Sequence, residues 1–209
     1  MLFELSEGRV RAVSTDGHRL ALCGAAVPEV KEEAQVIVPR KGVMELARLL
    51  GDVEDSVSVT VGSNHIRVLA SGISFTSKLV DGKFPDYDRV VPKGGEKKVM
   101  ADRDALKQAL SRVSILSNEK YRGVRIQLSS GSMALQANNP EQEEAEEEVS
   151  LEYEGESLEI GFNVSYLLDV LNVMDSSQVE IELGDSNSSA LMKDPEVSEA
   201  LYVVMPMRL

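Results

Sequence analysis

Asp16 and His18 are the residues whose types and spacing could do chemistry. An Asp and a His two positions apart can share a metal ion or act as an acid–base pair. Together with the Glu-rich segment 138–148, they would suit a metal-dependent phosphoesterase, which stays open as an alternative. The only other His is His65, and loop carboxylates are not held on rigid elements. We therefore predict no catalytic residue, no metal site and no cofactor.

Gly17 favours a different interpretation of the same segment, a tight turn that presents His18 and Arg19 beside an apolar strand. That strand is predicted at residues 20–23. Its Cys23 is the single cysteine of the chain, and we expect it in the core rather than acting as a nucleophile. With no second cysteine to pair with, it favours a reducing compartment.

Basic side chains follow the outer faces of two of the three predicted helices. The predicted helices span about 39–51, 102–114 and 163–173. The basic residues are Arg40, Lys41 and Arg48 on the first helix, and Arg103 and Lys107 on the second. Such rows could contact DNA phosphates without reading bases, although an ordinary solvated face is the favoured interpretation of the rows taken alone.

The apolar C-terminal tail, residues 201–209, contains two Met residues and Pro206. Residues 201–204 fit a docked last strand, but Pro206 has no N–H to continue a ladder. Flexible Met side chains suit a surface that accepts several apolar ligands.

The acidity of the chain is local. The net charge is −13, and ten Glu lie between Glu141 and Ile160, which leaves 25 acids against 22 bases elsewhere. Because screening limits electrostatic reach to about 10 Å, a basic face can still attract phosphates. Residues 138–148 are predicted to form an acidic loop, which could bind cations or a basic partner or could simply be solvated. The chain has no apolar run long enough for a membrane span and no signal-peptide pattern, so a cytoplasmic protein is expected.

The hydrophobic pattern predicts an α+β fold. Residues 2–5 and 9–14 alternate around Glu7-Gly8 as in a hairpin, and short strands recur between the helices. Antiparallel strands with helices at regular intervals indicate helices covering one sheet face.

The chain also repeats itself at an offset of 123 residues. Residues 3–12 match residues 126–135, and residues 37–62 match residues 160–184. The second copy has a predicted helix ahead of its hairpin, whereas the first opens directly on the hairpin. We therefore expect two tandem units, and a chain that begins partway through a domain.

Five segments in order resemble one family, the bacterial sliding clamps, which are the beta subunits of DNA polymerase III. The likeness covers the whole chain and corresponds to the C-terminal part of the family, with a partial middle domain at 1–87 and the last domain at 88–209. The segments are Thr15–Ala21, Phe75–Tyr87, Ser117–Arg125, Asn138–Glu147 and Tyr202–Leu209.

The resemblance implies a non-enzymatic DNA clamp. In the family, three-domain chains dimerise head to tail into a ring, with sheets outside and helices on the inner face. Duplex DNA threads the ring, and the clamp tethers polymerase. The implied phosphate contacts are Arg40, Lys41, Arg48, Arg103 and Lys107, and the implied dimer-interface residues are Ile115 and Leu116.

The resemblance also implies a peptide-binding cleft between the middle and last domains. Its expected partners are the polymerase III alpha subunit, the clamp loader, other polymerases and repair proteins, each through a short Gln/Leu/Phe-type motif. The matching residues are Thr15, Gly17, His18, Arg19, Leu20, Pro85, Arg89, Val90, Asn163, Tyr166, Val203, Met205, Pro206, Met207 and Arg208.

The chain departs from the family pattern in several places. The first strand and helix of the middle domain are missing, Asn187 stands where the family often has an apolar cleft residue, and Tyr121 stands where it often has Phe. We expect this fragment to be monomeric and unable to close a ring. A peptide-binding adaptor without a DNA role is therefore a further alternative.

Overall fold

A computed structural model of the chain describes residues 1–51 and 53–208. The chain divides into two compact units. Unit 1 comprises Met1–Thr15 and Leu22–Asp86, and unit 2 comprises Asp16–Ala21 and everything from Tyr87 onward. Leu209, the last residue of the predicted domain 88–209, lies outside the described residues. Within those residues, every helix is too short and too polar to cross a lipid bilayer.

Unit 1 is built from seven strands and one helix. Strands β1 to β4 form a run in the order β4-β1-β2-β3, and β5 to β7 form a three-stranded antiparallel sheet. Glu7 and Gly8 join β1 to β2 with positive φ angles of 41° and 78°, the backbone that a two-residue hairpin turn needs. The elements are β1 (Leu2–Ser6), β2 (Arg9–Thr15), β3 (Arg19–Ala26, whose first three residues belong to unit 2), β4 (Ala34–Ile37), α1 (Arg40–Leu50), β5 (Ser58–Val61), β6 (His65–Ala70) and β7 (Ile73–Lys78).

Helix α1 packs an apolar stripe on a small core. Val38, Ile66 and Val68 are almost completely buried, and Val43, Leu46 and Leu50 of the helix pack against that group. The 3.6-residue period places those three side chains on one face. The basic residues of α1 therefore lie away from the core.

Unit 2 contains two helices, two short 3₁₀ turns and eight strands beyond the start of β3. Its strands form one four-stranded sheet, β11-β10-β9-β12, and a second run, β15-β14-β13-β8. The elements are the 3₁₀ turn Tyr87–Arg89, β8 (Lys97–Asp102), α2 (Arg103–Val113), the 3₁₀ turn Ser114–Leu116, β9 (Gly123–Ser129), β10 (Ser132–Asn138), β11 (Glu144–Ser150), β12 (Leu158–Asn163), α3 (Val164–Val173), β13 (Gln178–Leu183), β14 (Ala190–Lys193) and β15 (Ala200–Val204).

Both helices of unit 2 begin at a side-chain cap, and their apolar faces pack in the same core. The Asp102 carboxylate accepts the Ala105 N–H at 2.8 Å, and the Asn163 side-chain oxygen accepts the Ser165 N–H at 2.9 Å. Such caps satisfy N–H groups that the first helical turn leaves free. Leu110 of α2 and Leu171 of α3 are 1% and 0% exposed in this core.

The predicted α+β class with antiparallel sheets and three helices is confirmed. The internal repeat is visible in the strand order, because β4-β1-β2-β3 of unit 1 follows the same plan as β12-β9-β10-β11 of unit 2. Strands β5 to β7 likewise resemble β13 to β15. In the part of the chain that the structure describes, β8 and α2 have no counterpart in unit 1.

Two expectations need correction. The acidic segment 138–148 is a loop only in part, because Glu144–Ser150 forms β11 and pairs with β10. The burial pattern of β11 alternates, because Ala145, Glu147 and Val149 share the more buried face and the other three Glu side chains are exposed. The sequence contains this period-2 pattern, but the high charge of the segment hides it. Cys23 is exposed rather than in the core, because β3 buries Leu20 and Leu22 and thereby turns Cys23 to the opposite face.

Candidate functional site

The Asp16 turn is fixed by its own carboxylate. Asp16 Oδ1 accepts the backbone N–H groups of His18 at 2.9 Å and Arg19 at 3.0 Å. Oδ2 accepts the Arg19 Nε–H at 3.1 Å. Gly17 has a φ of +88°, which a residue without Cβ adopts easily. Both carboxylate oxygens therefore serve the turn.

The same bonds set the protonation of Asp16. Partial burial works to raise the pKa of this carboxyl, but the hydrogen bonds from His18 and Arg19 outweigh it and lower the pKa below its ordinary value. The Asp16 carboxylate is therefore charged throughout the neutral range, and the turn is held by charge-assisted bonds.

Arg19 links the turn to helix α3. Its Nη1 donates to Asp169 Oδ2 at 2.5 Å, and its guanidinium carbon lies 4.4 Å from the centroid of the Tyr166 ring. Burial works to lower the Arg19 pKa, but the bonds to Asp169 and Asp16 raise it overall. Because the guanidinium is held by two carboxylates and a ring, it orients Tyr166 as a flat, half-buried wall.

The start of α3 is tied to the loop that precedes β9. The Asn163 side-chain amide donates to the Tyr121 carbonyl at 3.3 Å, and the Val164 N–H donates to the Arg122 carbonyl at 2.8 Å. Arg122 itself has a φ of 52° and donates from Nη1 to the Ser114 carbonyl at 3.1 Å. Asn163 is thus a helix cap with a second anchor, held rigidly beside Tyr121.

The C-terminal tail crosses this region after β15 ends. The Met205 N–H donates to the His18 carbonyl at 2.9 Å, and the Met207 N–H donates to the Gly161 carbonyl at 2.8 Å. Pro206, which has no N–H, lies between these two bonds. Leu20 and Val203 are 3% and 1% exposed beneath, whereas Met205 is 44% exposed.

Within unit 2 the structure therefore brings nine of the predicted cleft residues together, eight of them at the surface and Leu20 buried. We call the eight surface residues the tail surface: His18, Arg19, Asn163, Tyr166, Met205, Pro206, Met207 and Arg208. It combines the aromatic ring of Tyr166 with the exposed Met205 and half-buried Met207 side chains and with polar atoms at its edges. Such a surface suits an apolar side chain of a short peptide, with backbone bonds at the rim.

The other predicted cleft residues lie elsewhere. Gly17 is in the turn and Val203 is in the buried part of β15. Thr15 and Pro85 belong to unit 1 and are exposed. Arg89 ends the 3₁₀ turn of unit 2, and Val90 after it is 45% exposed.

The residues predicted to contact phosphates differ in how exposed they are and in whether they pair with an acidic side chain. Arg40 and Lys41 are exposed at the start of α1, and Lys107 is half-buried on α2. Arg48 Nη2 lies 2.9 Å from Glu45 Oε2, with 70% of the Arg48 side chain exposed.

Arg103 is different, because its guanidinium is used within the fold. Nη1 donates to the Met174 carbonyl at the end of α3, and Nη2 lies 2.8 Å from Asp104 Oδ1. Only 20% of its side chain is exposed. Arg103 joins α2 to α3, so it is a poor candidate for an open phosphate contact.

Four further positions named from the sequence are located in unit 2. Ile115 is 77% exposed on the second 3₁₀ turn, and Leu116 beside it is half-buried. Asn187 lies in the turn between β13 and β14, where its N–H donates to Asp185 Oδ1 at 2.9 Å. Tyr121 is 56% exposed, with the Lys120 ammonium 5.1 Å from its ring centroid.

Sequence reasoning missed two features. The first is Asp169, the partner of Arg19, although its i+3 spacing from Tyr166 puts both residues on one face of the helix. The second is a surface groove of about 390 Å³, which Tyr121 and Met207 share with Asn138–Pro140. No spacing rule in the sequence joins those distant segments.

Comparison with known proteins bears on the whole chain. The family model described as DNA polymerase III beta subunit, central domain, matches residues 1–86. The model for the C-terminal domain of the same subunit matches residues 88–208. The two matches are consecutive and leave one residue between them.

Individual relatives belong to the same family as these two models. The beta sliding clamp of Pseudomonas putida is 64% identical over 210 residues, which cover 100% of this chain and 57% of the relative. The Escherichia coli K12 clamp is 52% identical over 209 residues, with the same coverage. A crystal structure of the Pseudomonas aeruginosa subunit superposes with a TM-score of 0.96 at 58% identity, covering 100% of this chain and 58% of that one. The chain thus spans a little more than half the length of these relatives, and it belongs to the DNA polymerase III beta subunit family, the beta sliding clamps.

Proposed function

We propose that this chain acts as part of a DNA sliding clamp, a non-enzymatic processivity factor that tethers replication proteins to duplex DNA. One observation carries the proposal: in a chain of this family, the tail docks on the Asp16 turn beside the Arg19–Tyr166 pair, which builds a surface shaped for a short peptide. On this proposal residues 1–87 act as part of a middle clamp domain and residues 88–209 as the last clamp domain. The consecutive family matches support that division.

The tail surface is proposed as the anchor for Gln/Leu/Phe-type motifs. Exposed Met205 gives an adaptable apolar contact, and Tyr166 gives a rigid one. The proposed partners are the polymerase III alpha subunit, the clamp loader, and other polymerases and repair proteins. Thr15, Pro85, Arg89 and Val90 are proposed to complete the cleft.

Duplex DNA and a second subunit are the further proposed partners in the full-length protein. Arg40, Lys41, Arg48 and Lys107 are proposed to attract phosphates weakly and without base readout, which suits a protein that must slide. Ile115, exposed to 77%, and Leu116 are proposed to bury against the partner subunit in a head-to-tail dimer. A cytoplasmic location is proposed with these roles.

Fluorescence polarisation with a labelled Gln-x-x-Leu-Phe peptide tests the proposal. Met205→Ala removes the exposed thioether chain but keeps the backbone N–H that bonds to His18, so the tail stays docked. We expect the Kd to rise roughly tenfold, as for a central apolar contact. Deletion of residues 205–209 should abolish measurable binding.

Met44→Ala is the matched control, because Met44 is also exposed, at 60%, but lies on α1. Its Kd should equal that of the unmodified chain. Equal Kd values for the unmodified chain and the deletion variant would show that the tail surface is not the peptide site.

A further inference from the structure

The groove beside the tail has the position and chemistry of a second peptide subsite. Its volume is about 390 Å³, and all its walls belong to unit 2. Three segments of unit 2 line it: the loop before β9 with Asn118 and Tyr121, the segment Asn138–Pro140, and the end of the tail with Met207 and Arg208.

The groove continues from the tail surface along the backbone. Met205 bonds to His18 at one end, and Met207 bonds to Gly161 two residues later. Two residues of extended chain cover about 7 Å. A peptide anchored at Met205 therefore reaches the groove with two or three additional residues.

The side chains available in the groove suit a short polar segment. Tyr121 is 56% exposed, and its backbone is held in place because its carbonyl accepts the Asn163 amide and its N–H donates to the Asn118 side chain at 3.0 Å. Exposed Asn138 can offer both an amide donor and an acceptor to a peptide backbone. These are the features of a wall that holds an extended chain.

The charge in the groove selects the kind of residue. Arg208 is the one ionisable group among its described lining residues other than the Tyr121 phenol. The Lys120 ammonium lies 5.1 Å from the Tyr121 ring centroid, which adds a second positive charge at that wall. The Glu143 carboxylate accepts a hydrogen bond from the Asn139 side-chain amide at 2.7 Å. An acidic side chain complements the two cations.

We propose that this groove binds the residues flanking the motif of a bound partner peptide, and that it prefers a flank of two or three residues containing Asp or Glu. The inference rests on the proposed peptide-binding function, since the flank is held in place by the anchored motif. It assigns to Tyr121, Lys120 and Asn138 a role in choosing among partners that share the same motif.

Four labelled peptides test this on the whole chain by fluorescence polarisation: the core motif alone, the core with Asp-Glu-Asp before it, the core with Asp-Glu-Asp after it, and the core with Ser-Gly-Ser before it. One of the two acidic extensions should bind about three- to tenfold more tightly than the core, as expected for one exposed ion pair plus ring contact. The acidic extension that tightens binding, before or after the motif, identifies the direction in which the peptide runs along the groove. The gain should shrink as salt rises from low to high concentration.

Tyr121→Ala and Lys120→Ala should remove most of that gain and leave the Kd of the core peptide unchanged. Lys83→Ala, an exposed lysine of unit 1, is the control and should keep the gain. Equal binding of all four peptides, or a gain that persists in Tyr121→Ala, overturns the subsite. Failure of the core peptide to bind would instead contradict the proposed function, so the two failures are separable.

Discussion

At the scale of single residues, the Asp16 carboxylate fixes the turn on which the C-terminal tail docks. Its two oxygens receive three hydrogen bonds from His18 and Arg19. Those bonds fix the His18 carbonyl to which Met205 is tied. A change at Asp16 therefore reaches the tail surface through the backbone.

Asp16→Ala should weaken core-peptide binding by about fivefold, since it removes an anchor of the order of 1 kcal/mol from a turn. Asp16→Asn keeps a side-chain acceptor for the two backbone N–H groups and should weaken binding by less than about twofold. Titrations of both variants measure this. If Asn proves as damaging as Ala, then the negative charge rather than the turn geometry is what matters.

The buried carboxylate of Asp194 allows us to predict how the folding stability of the chain changes with pH. It is 4% exposed, and it accepts the N–H groups of Ser176 at 3.4 Å and Glu196 at 2.9 Å. Burial works to raise its pKa, but these bonds lower the pKa overall. Because the folded pKa lies below the unfolded one, Asp194 stabilises the fold above the unfolded pKa of about 3.9 and loses that contribution as the pH falls through the folded pKa.

Urea midpoints at pH 6 and pH 3 measure the effect. Asp194→Asn should be less stable than the unmodified chain at pH 6, and it should lose less stability on going to pH 3. Asp88→Asn, on the exposed 3₁₀ turn, is the control and should follow the unmodified chain at both pH values. Parallel losses in all three proteins would contradict the role given to Asp194.

At the scale of elements, helix α3 carries the site on one face and the core on the other. Tyr166 and Asp169 face Arg19, whereas Leu167 and Leu171 are 5% and 0% exposed. Because Leu167 and Leu171 are buried, they hold α3 in place, and with it Tyr166 in the tail surface. The stability of α3 and the geometry of the site are therefore coupled.

Leu171→Ala should destabilise unit 2 by about 2 to 5 kcal/mol through the lost apolar contacts and the cavity left behind. Val173→Ala on the same helix should cost less than about 0.5 kcal/mol, because Val173 is 61% exposed. Urea unfolding followed by circular dichroism compares them. Equal midpoints for the two variants would show that the core of unit 2 lies elsewhere.

The elements also show where sequence reasoning succeeds and where it stops. The Glu7-Gly8 hairpin and the Asn163 cap follow from local chemistry, so both were predictable. The Arg103 bond to Met174 joins residues 71 apart, and no local pattern contains such a contact. The groove at Tyr121 and Asn138 likewise depends on how three segments pack, and this was the part of the candidate site that remained hidden.

At the scale of the whole molecule, the net charge of −13 is unevenly distributed. Three of the four Glu side chains of β11 in unit 2 are exposed, and Glu147 is half-buried and bonded to Arg112. Arg40 and Lys41 are exposed at the start of α1 in unit 1 and form what we call the α1 surface. Since screening limits the reach of a charge to about 10 Å in physiological salt, a large anionic ligand responds to the local charge of the α1 surface more than to the net charge.

Weak, salt-sensitive binding to duplex DNA should therefore depend on the α1 surface. Each phosphate contact contributes about 0.9 to the slope of log K against log salt concentration. Arg40→Ala combined with Lys41→Ala should reduce that slope by about 1 to 2, because the pair makes at most two such contacts. Lys83→Ala combined with Lys93→Ala removes the same charge from exposed positions outside the helices. This second double variant has the same net charge as the first, but its slope should equal that of the unmodified chain.

Polarisation titrations of a labelled duplex at several low salt concentrations supply the slopes. Identical slopes for the two double variants would mean that net charge, and not the α1 surface, governs contact with DNA.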